Sequence, residues 1–273
     1  MCGFVLALPR PASAQTEPVG VRAAGMGGAF TAVADDATGA YWNPAGLASG
    51  AFVGITFDLN TLDGHTAAFG GLSSPPFGVS YFRTVTTVEA ATGRNGAVGN
   101  LPVHHGGVTL DQSIGDTGVA VGATLGVVHG NGATGIGADA GVMFSGSLVK
   151  VGLVVHNLAG PSLGDVRLLR QVRAGVSLHL HDAVTLAADL DLSKTPSVEG
   201  AWREAALGLE AHPVARGWLR GGLHWDTAGS LAAPIGTVGG SYGILGPVRL
   251  DGQASFGSSH GDRGWGVGIG VVY

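Results

Sequence analysis

The 273-residue sequence has almost no cysteine, few charged residues and no long apolar run. Its one cysteine, Cys2, excludes a disulfide framework within the chain and a zinc site built from several cysteines. Charged residues make up 12% of the chain, the net charge is −5, and no Lys/Arg cluster is present, which excludes a dominant role with nucleic acid. No segment approaches the roughly 20 consecutive apolar residues that a membrane-spanning helix needs.

Glycine and half-apolar segments dominate what is present. The chain contains 50 glycines and 45% hydrophobic residues, which is too many for a chain that remains disordered. Glycine does not recur at every third position, so a collagen-like helix is excluded as well. The composition therefore predicts a protein built from short strands.

The segment 264–273 shows the most regular alternation of large apolar residues and small ones. Large apolar or aromatic residues stand at every second position: Trp265, Val267, Ile269, Val271 and Tyr273. Glycines fill most positions between them, so a strand here has one bulky apolar face and one nearly bare face. Such a closing strand is typical of bacterial outer-membrane barrels. We expect Trp265 and Tyr273 to form the signal that the barrel assembly machinery reads.

Thirteen further segments are either apolar throughout or alternate between apolar and polar residues. Most span about 8–11 residues, the length that a tilted strand needs to cross a bilayer. Turn-forming residues fill the gaps between them. The fourteen predicted strands are 51–60, 65–72, 77–85, 104–114, 119–129, 137–145, 148–157, 171–180, 184–192, 204–211, 218–225, 237–242, 248–256 and 264–273.

The predicted connections alternate in length. The short set is 73–76, 115–118, 146–147, 181–183, 212–217 and 243–247. Apart from the first hairpin at 61–64, the other set is longer: 86–103, 130–136, 158–170, 193–203, 226–236 and 257–263. Outer-membrane barrels alternate short periplasmic turns with longer extracellular loops. The sequence therefore predicts an all-β fold, a fourteen-stranded antiparallel transmembrane β-barrel over residues 51–273, in contact with outer-membrane lipid.

Two further segments precede the predicted barrel. Residues 1–14 resemble the end of a secretory signal peptide that lacks its basic start, with a small-residue cleavage pattern at 12–14. Residues 15–50 are not strand-like and predict a small hatch inside the barrel. Its candidate functional residues are Gly25, Gly27, Gly28, Asp35, Asp36, Asn43 and Pro44. We expect one of the two acidic residues to cap a short helix over 37–42, the Asn-Pro pair to end it, and the glycines to allow close packing.

Charged and polar residues lie opposite the apolar face of the predicted strands. The predicted lumen network contains Lys150, His156, Arg173, Asp189, Asp191, Glu204, Glu210, Arg220, Arg249 and Asp251. Because both signs occur on neighbouring strands, we expect Arg173 to pair with Asp189 or Asp191, and Glu210 to pair with Arg220. The alternative is that these residues line a polar permeation path.

The hatch sequence resembles a known family. Residues 22–36 (RAAGMGGAFTAVADD) and 40–48 (AYWNPAGLA) resemble the hatch region of the PorV/PorQ family, within the wider FadL-like group of fourteen-stranded outer-membrane proteins. Further similar segments lie at 151–158, 172–176, 207–210 and 219–222. The resemblance implies a barrel with an N-terminal hatch. The group includes transporters of hydrophobic substrates and components of type IX secretion.

Two functions follow as hypotheses. The first is a non-enzymatic accessory barrel of PorV type that binds secretion components or cargo, favoured by short predicted loops and a paired polar lumen. The alternative is a FadL-like passive transporter of small hydrophobic molecules. Neither needs a cofactor or a metal. The glycines of 130–135 match G-x-G-x-x-G, but a strand is predicted after them where phosphate binding requires a helix.

Overall fold

The structure, a computed structural model, describes residues 19–62, 65–90, 98–164, 166–180, 183–197, 200–229, 233–258 and 263–273. The predicted signal peptide over residues 1–14, and with it Cys2, lies outside the described residues. Residues 15–18 of the predicted hatch lie outside them too.

Fourteen long strands form one closed antiparallel sheet. They are β1 (Gly54–Leu62), β2 (His65–Ser74), β3 (Phe77–Ala90), β4 (Val98–Ser113), β5 (Val119–Gly130), β6 (Ala133–Ser145), β7 (Val149–His156), β10 (Gln171–Leu180), β11 (Val184–Asp191), β14 (Glu204–Val214), β15 (Gly217–Asp226), β16 (Ile235–Leu245), β17 (Val248–Phe256) and β18 (Gly264–Val272). The pairing of β1 with β18, from Gly54↔Val272 to Leu62↔Gly264, closes the barrel. The predicted fourteen-stranded antiparallel barrel is confirmed.

Short hairpins lie within two of the connections. One consists of β8 (Ser162–Leu163) and β9 (Val166–Arg167), and β9 also pairs with the end of β3. The other consists of β12 (Thr195–Ser197) and β13 (Gly200–Trp202). The sequence analysis predicted plain loops here, because two- and three-residue strands are too short to show alternation.

Two predicted loops are wrong. The expected loop over 86–103 is largely strand, because β3 runs to Ala90 and β4 begins at Val98. The expected loop over 130–136 is a two-residue turn, because β5 runs to Gly130 and β6 begins at Ala133. The turn residues Asn131 and Gly132 have φ values of 51° and 69°. Positive φ at both positions is typical of a type I′ hairpin turn, whose twist matches that of the flanking strands. The G-x-G-x-x-G match is therefore part of a hairpin.

The connections divide the barrel into two ends. At one end, called the short-turn end, strands are joined by 75–76, 114–118, 146–148, 181–183, 215–216 and 246–247. At the opposite end, called the long-loop end, lie most of the longer connections, including those that carry the two short hairpins. This agrees with the alternation predicted from the sequence, apart from the tight turn at 131–132.

The outward face of the barrel is apolar. On β14, Leu207 and Leu209 are 47% and 41% exposed, whereas the inward Ala206 and Glu210 are buried. Trp265 and Tyr273 are also exposed, at 55% and 71%. An apolar surface that surrounds a closed barrel is stable against lipid rather than water. The protein is an outer-membrane β-barrel.

Three short helices precede the barrel: α1 (Val21–Gly25), α2 (Gly39–Trp42) and a 3-10 helix (Pro44–Ser49). No helix among the described residues is long and apolar enough to cross a membrane. The largest fully buried side chains include Met26 and Phe30, and a cluster around them extends to Met143 on β6 and Ala206 on β14. The apolar core of the molecule is therefore the contact between this segment and the inside of the barrel wall.

The outward face can be tested on one strand. Leu209→Arg places a charge halfway along β14 and should cost about 2–4 kcal/mol of barrel stability, whereas Val214→Arg at the end of the same strand should cost about 0–1 kcal/mol. Unfolding followed by heat-modifiability on gels measures both. Equal tolerance of the two substitutions would show that Leu209 does not face the bilayer.

Candidate functional site

Residues 19–50, called the N-terminal segment, lie inside the barrel. The backbone N–H of Phe30 donates to Asp189 Oδ2 on β11 (3.0 Å), and the N–H of Val21 donates to Asp58 Oδ2 on β1 (3.0 Å). These two strands are far apart in the barrel order. Carboxylates that point into the lumen thus accept hydrogen bonds from backbone N–H groups of the segment that have no partner within a helix.

The predicted cap of α2 is wrong. The helix begins at Gly39, two residues later than expected, and Thr38 at its N-cap position makes no side-chain capping bond. Asp36 Oδ1 instead accepts a hydrogen bond from the Thr38 N–H (2.9 Å) before the helix starts. Asp35 and Asp36 both pair with Arg22, at 2.5 and 3.1 Å. Asp36 therefore binds the Thr38 N–H with Oδ1 and Arg22 with Oδ2, ahead of the first residue of α2.

Asn43 and Pro44 end α2 and begin the 3-10 helix. Asn43 is extended, with φ −169°, and its Oδ1 accepts a hydrogen bond from the Ala45 N–H (3.2 Å). Its Nδ2 donates to the carbonyls of Thr31 (3.0 Å) and of Val142 on β6 (3.2 Å). One buried amide therefore holds two parts of the N-terminal segment to the wall.

Gly25, Gly27 and Gly28 meet the opposite side of the wall. A Cβ on Gly25 would lie 3.2 Å from the Cα of Gly239 on β16, and a Cβ on Gly27 would lie 2.8 Å from the backbone nitrogen of Leu223 on β15. Gly27 and Gly28 also have positive φ values of 66° and 79°. Only glycine satisfies both the conformation and the space at Gly27.

The wall contributes its own glycines at this level. A Cβ on any of these inward glycines would meet the N-terminal segment at close range: Gly122, Gly141, Gly152, Gly175, Gly208, Gly222 and Gly239. We call them the glycine belt. Three cross-strand pairs belong to it: Gly122↔Gly141, Gly152↔Gly175 and Gly208↔Gly222. The belt lets the segment lie directly against the barrel backbone from β5 to β16.

Arg173 joins the wall to the segment near the long-loop end. Its Nε donates to Asp189 (3.1 Å), its Nη1 to Asp191 (2.9 Å) and its Nη2 to Glu204 (3.0 Å). Nη2 also donates to the carbonyl of Gly28 (2.9 Å). Arg173 therefore contacts both of the aspartates between which the sequence left a choice.

A second ionic network lies near the short-turn end. Arg22 binds both oxygens of Glu210 on β14, at 2.9 and 2.8 Å. Glu210 also contacts Arg220 on β15 (2.6 Å), whose Nη1 lies 3.3 Å from Asp251 on β17. Arg249 pairs with the same aspartate at 3.0 Å. Charges on three wall strands are thereby joined to α1.

Arg22 and Asp36 stay ionised in this network. Burial alone would lower the pKa of Arg22, but the carboxylates of Asp35, Glu210 and Asp36 raise it well above its ordinary value. Burial alone would raise the pKa of Asp36, but Arg22 and the hydrogen bonds from Thr38 outweigh that effect, so this pKa is lowered.

Two members of the predicted lumen network differ from the rest. Lys150 lies on the inward face of β7 opposite Ser177, and it forms no ion pair with any described residue. His156, at the other end of β7, stacks on Tyr41 with ring centroids 5.0 Å apart. Its Nδ1 lies 3.8 Å from Asp139. Among the described residues, Lys150 therefore lies outside the paired network.

The N-terminal segment lies between two cavities of the lumen. Cavity one faces the long-loop end and is lined by Ala24, Gly27, Gly28, Tyr41, Trp42, Thr61, His156, Gln171, Arg173, Asp191, Thr195, Glu204, His224, Thr237, Gln253 and Ser255. Cavity two faces the short-turn end and is lined by residues that include Arg22, Thr56, Glu210 and Arg249. No residue lines both cavities. Within α1, Ala24 lines the first and Arg22 the second.

Several lining residues were not singled out from the sequence. Tyr41 and Trp42 lie in the motif at 40–48, but only the three-dimensional structure shows that they line a cavity. Gln253 shares the inward face of β17 with Asp251, and the sequence indicated this orientation but no function for Gln253. Arg22 was part of the same motif, and its partner Glu210 lies 188 residues away.

Within the described ranges, no group of three or more His, Cys, Asp or Glu residues is placed to hold a metal ion. The buried carboxylates instead share arginines, which is a structural pairing. What the geometry offers is space, aromatic surface and hydrogen-bonding groups.

The fold is similar to that of solved hydrocarbon channels. The structure of the Ralstonia pickettii toluene transporter TbuX superposes with a TM-score of 0.69 at 14% identity, covering 94% of this chain and 98% of that one. The CymD monoaromatic hydrocarbon channel gives 0.65 at 15% identity, covering 93% and 96%. The Pseudomonas putida toluene transporter TodX gives 0.64 at 12% identity, covering 94% and 97%. The predicted FadL-like barrel is confirmed as a fold.

The chain matches no family model and no curated protein sequence. The finer resemblance to PorV/PorQ proteins therefore stays a prediction.

The glycine belt generates a test with a matched control. A side chain at Gly222 overlaps the backbone of Met26 and Gly27, whereas the nearest atom to a Cβ on Gly221 is 3.9 Å away. Gly222→Val should lose about 1–3 kcal/mol through overpacking and expose the N-terminal segment to protease, while Gly221→Val should do neither. Denaturant titration and limited proteolysis measure both effects. Equal behaviour of the two variants would contradict the packing described here.

Proposed function

We propose that the protein is a passive conduit for small, mainly apolar molecules across the bacterial outer membrane. The observation that carries the proposal is the pair of cavities on either side of the N-terminal segment. Cavity one opens towards the long-loop end, and its lining combines aromatic and hydrogen-bonding side chains. Its floor contains the aromatic side chains of Tyr41 and Trp42.

The barrier between the cavities is thin at α1. This helix has five residues, and it contacts β15, β16, β17, β18 and β1. The facing part of β18 carries inward glycines, Gly266 and Gly268, which approach Asn60 and Asp58 of β1 rather than the segment. A small displacement of α1 along this side would join the two cavities. The glycine belt, from β5 to β16, would hold the remainder of the segment in place.

The similar structures support the same function. CymD is described as a monoaromatic hydrocarbon channel, and TbuX and TodX are described as toluene transporters. Their fold matches nearly the whole of this chain, although the identities are 15% or less. Of the two functions predicted from the sequence, these similarities favour the conduit. The secretion-accessory function stays the competing hypothesis.

An uptake measurement in intact bacteria tests the proposal. The protein is produced in a strain whose outer membrane limits the entry of radiolabelled toluene, and initial uptake is compared with that of cells without it. Ser255→Trp places a large ring in the mouth of cavity one, where Ser255 is part of the lining. We expect the native protein to raise uptake several-fold and Ser255→Trp to remove most of the increase.

Ala254→Trp serves as the matched control, because Ala254 is the exposed outward neighbour on the same strand. It should assemble and support uptake as the native protein does, with heat-modifiability reporting assembly. No increase in uptake by the correctly assembled native protein would refute the conduit and favour the accessory function. Equal loss in both tryptophan variants would refute cavity one as the entrance.

A further inference from the structure

The outward face of β4 changes from apolar to basic near the long-loop end. Its outward residues between Gln112 and His104 are apolar and include the exposed Val108 and Leu110. A strand tilted by about 40° covers about 21 Å of the barrel axis in eight residues, close to the roughly 25 Å apolar band of outer-membrane barrels. His104 therefore lies at the edge of this band, on the side of the long-loop end.

The two neighbouring strands carry basic residues at the same level. Arg83 on β3 is the cross-strand partner of His104, and His104 is the partner of His129 on β5. Directly paired residues share one face of a sheet. On β3 and β5, the exposed Tyr81 and Val127 come two residues before the basic residue, on the bilayer side. We call Arg83, His104 and His129 the basic row.

The same edge is different on the strands that close the barrel. At the long-loop end of β17 and β18, the outward residues are the exposed Phe256 and Trp265. Aromatic residues form the usual girdle of an outer-membrane barrel at this level. The basic row therefore replaces the girdle on β3, β4 and β5 with hydrogen-bond donors.

The two histidines are both engaged at Nδ1. The Tyr81 hydroxyl lies 2.8 Å from Nδ1 of His104, and the Thr134 hydroxyl lies 2.8 Å from Nδ1 of His129. Nε2 of either ring makes no hydrogen bond with a described residue. A phosphate oxygen at Nε2 favours the form in which the hydroxyl donates to Nδ1 and Nε2 carries the proton. Each ring can then donate to that oxygen whether it is neutral or charged.

Arg83 supplies the permanent charge of the row. Its Nη1 donates to the carbonyl of Thr66 on β2, and its other donors have no partner among the described residues. None of the described carboxylates forms an ion pair with Arg83, His104 or His129. Guanidinium and imidazole groups without a carboxylate partner are suited to binding a phosphate.

We propose that the basic row binds a phosphate group of lipopolysaccharide, the phosphorylated glycolipid of the outer leaflet. The long loops of outer-membrane barrels lie outside the cell, so the row stands at the level of the head groups of that leaflet. The acyl chains of the same lipid lie against the apolar band below, which includes Tyr81, Val108 and Val127. This proposal does not depend on what passes through the lumen.

Lipid binding to the protein, purified in detergent and freed of lipid, tests the proposal. Native mass spectrometry measures the affinity for four probes: diphosphoryl lipid A, the same lipid A without phosphates, phosphatidylglycerol and inorganic phosphate. One hydrogen bond to a charged group corresponds to about tenfold or more in affinity. We expect diphosphoryl lipid A to bind at least about tenfold more tightly than the form without phosphates.

Arg83→Gln should weaken the binding of diphosphoryl lipid A about tenfold. Arg216→Gln is the matched control, because Arg216 is an exposed arginine in the turn 215–216 at the short-turn end, and its loss changes the net charge equally. It should bind as the native protein does, with heat-modifiability reporting assembly. If Arg83→Gln does not assemble, the double variant His104→Leu/His129→Leu, whose apolar side chains suit the lipid-facing surface, takes its place.

Four results would overturn the proposal. Equal affinity for lipid A with and without phosphates would exclude phosphate recognition. Equal affinity of the Arg83→Gln and Arg216→Gln variants would exclude the basic row as the site. Tighter binding of phosphatidylglycerol than of lipid A would assign the site to a phospholipid. Binding of inorganic phosphate as tight as that of lipid A would show that the acyl chains contribute nothing and that the row is not a lipid site.

Discussion

Direct backbone contact between the N-terminal segment and the barrel wall is the constraint on which the rest of the structure depends. The glycine belt removes side chains from the inner wall over β5 to β16, and the segment fills the space with Met26, Thr31 and the Asn43-Pro44 pair. Because interiors tolerate little extra volume, this packing fixes the height of the segment in the lumen. That height in turn divides the lumen into two cavities and places Tyr41 and Trp42 at the floor of the first.

Ionic contacts hold the N-terminal segment at the position that this packing sets. Arg173 joins three carboxylates to the carbonyl of Gly28, and Arg22 joins two aspartates to Glu210. Removing one partner of a buried pair leaves an uncompensated charge, which is much costlier than the net gain from the pair. These networks therefore restrict which parts of the segment can move. The short helix α1 lies next to the bare glycines of β18 and carries Arg22, one of the anchors of these networks.

Much of the fold was predictable, because the signals are local. Alternation identified all fourteen barrel strands, and inward positions such as Asp189 and Arg220 follow from the same period of two. The partners of Arg22 were not predictable, since they depend on how a segment without strands sits among distant strands. The local rule assigned Asp35 or Asp36 to the N-terminus of α2, but the helix begins only at Gly39, and both aspartates also pair with Arg22. Sequence alone could not show that the buried Oε1 of Gln253 accepts no hydrogen bond from any described residue, because this depends on the positions of all its neighbours.

Cavity one is proposed to bind a small aromatic molecule above the N-terminal segment. A crystal structure of the protein soaked with 4-bromotoluene, with anomalous data at the bromine edge, tests this binding. We expect a bromine peak inside cavity one, beside Tyr41 and Trp42. Bromine peaks confined to the outward lipid-facing surface, with none in cavity one, would contradict it.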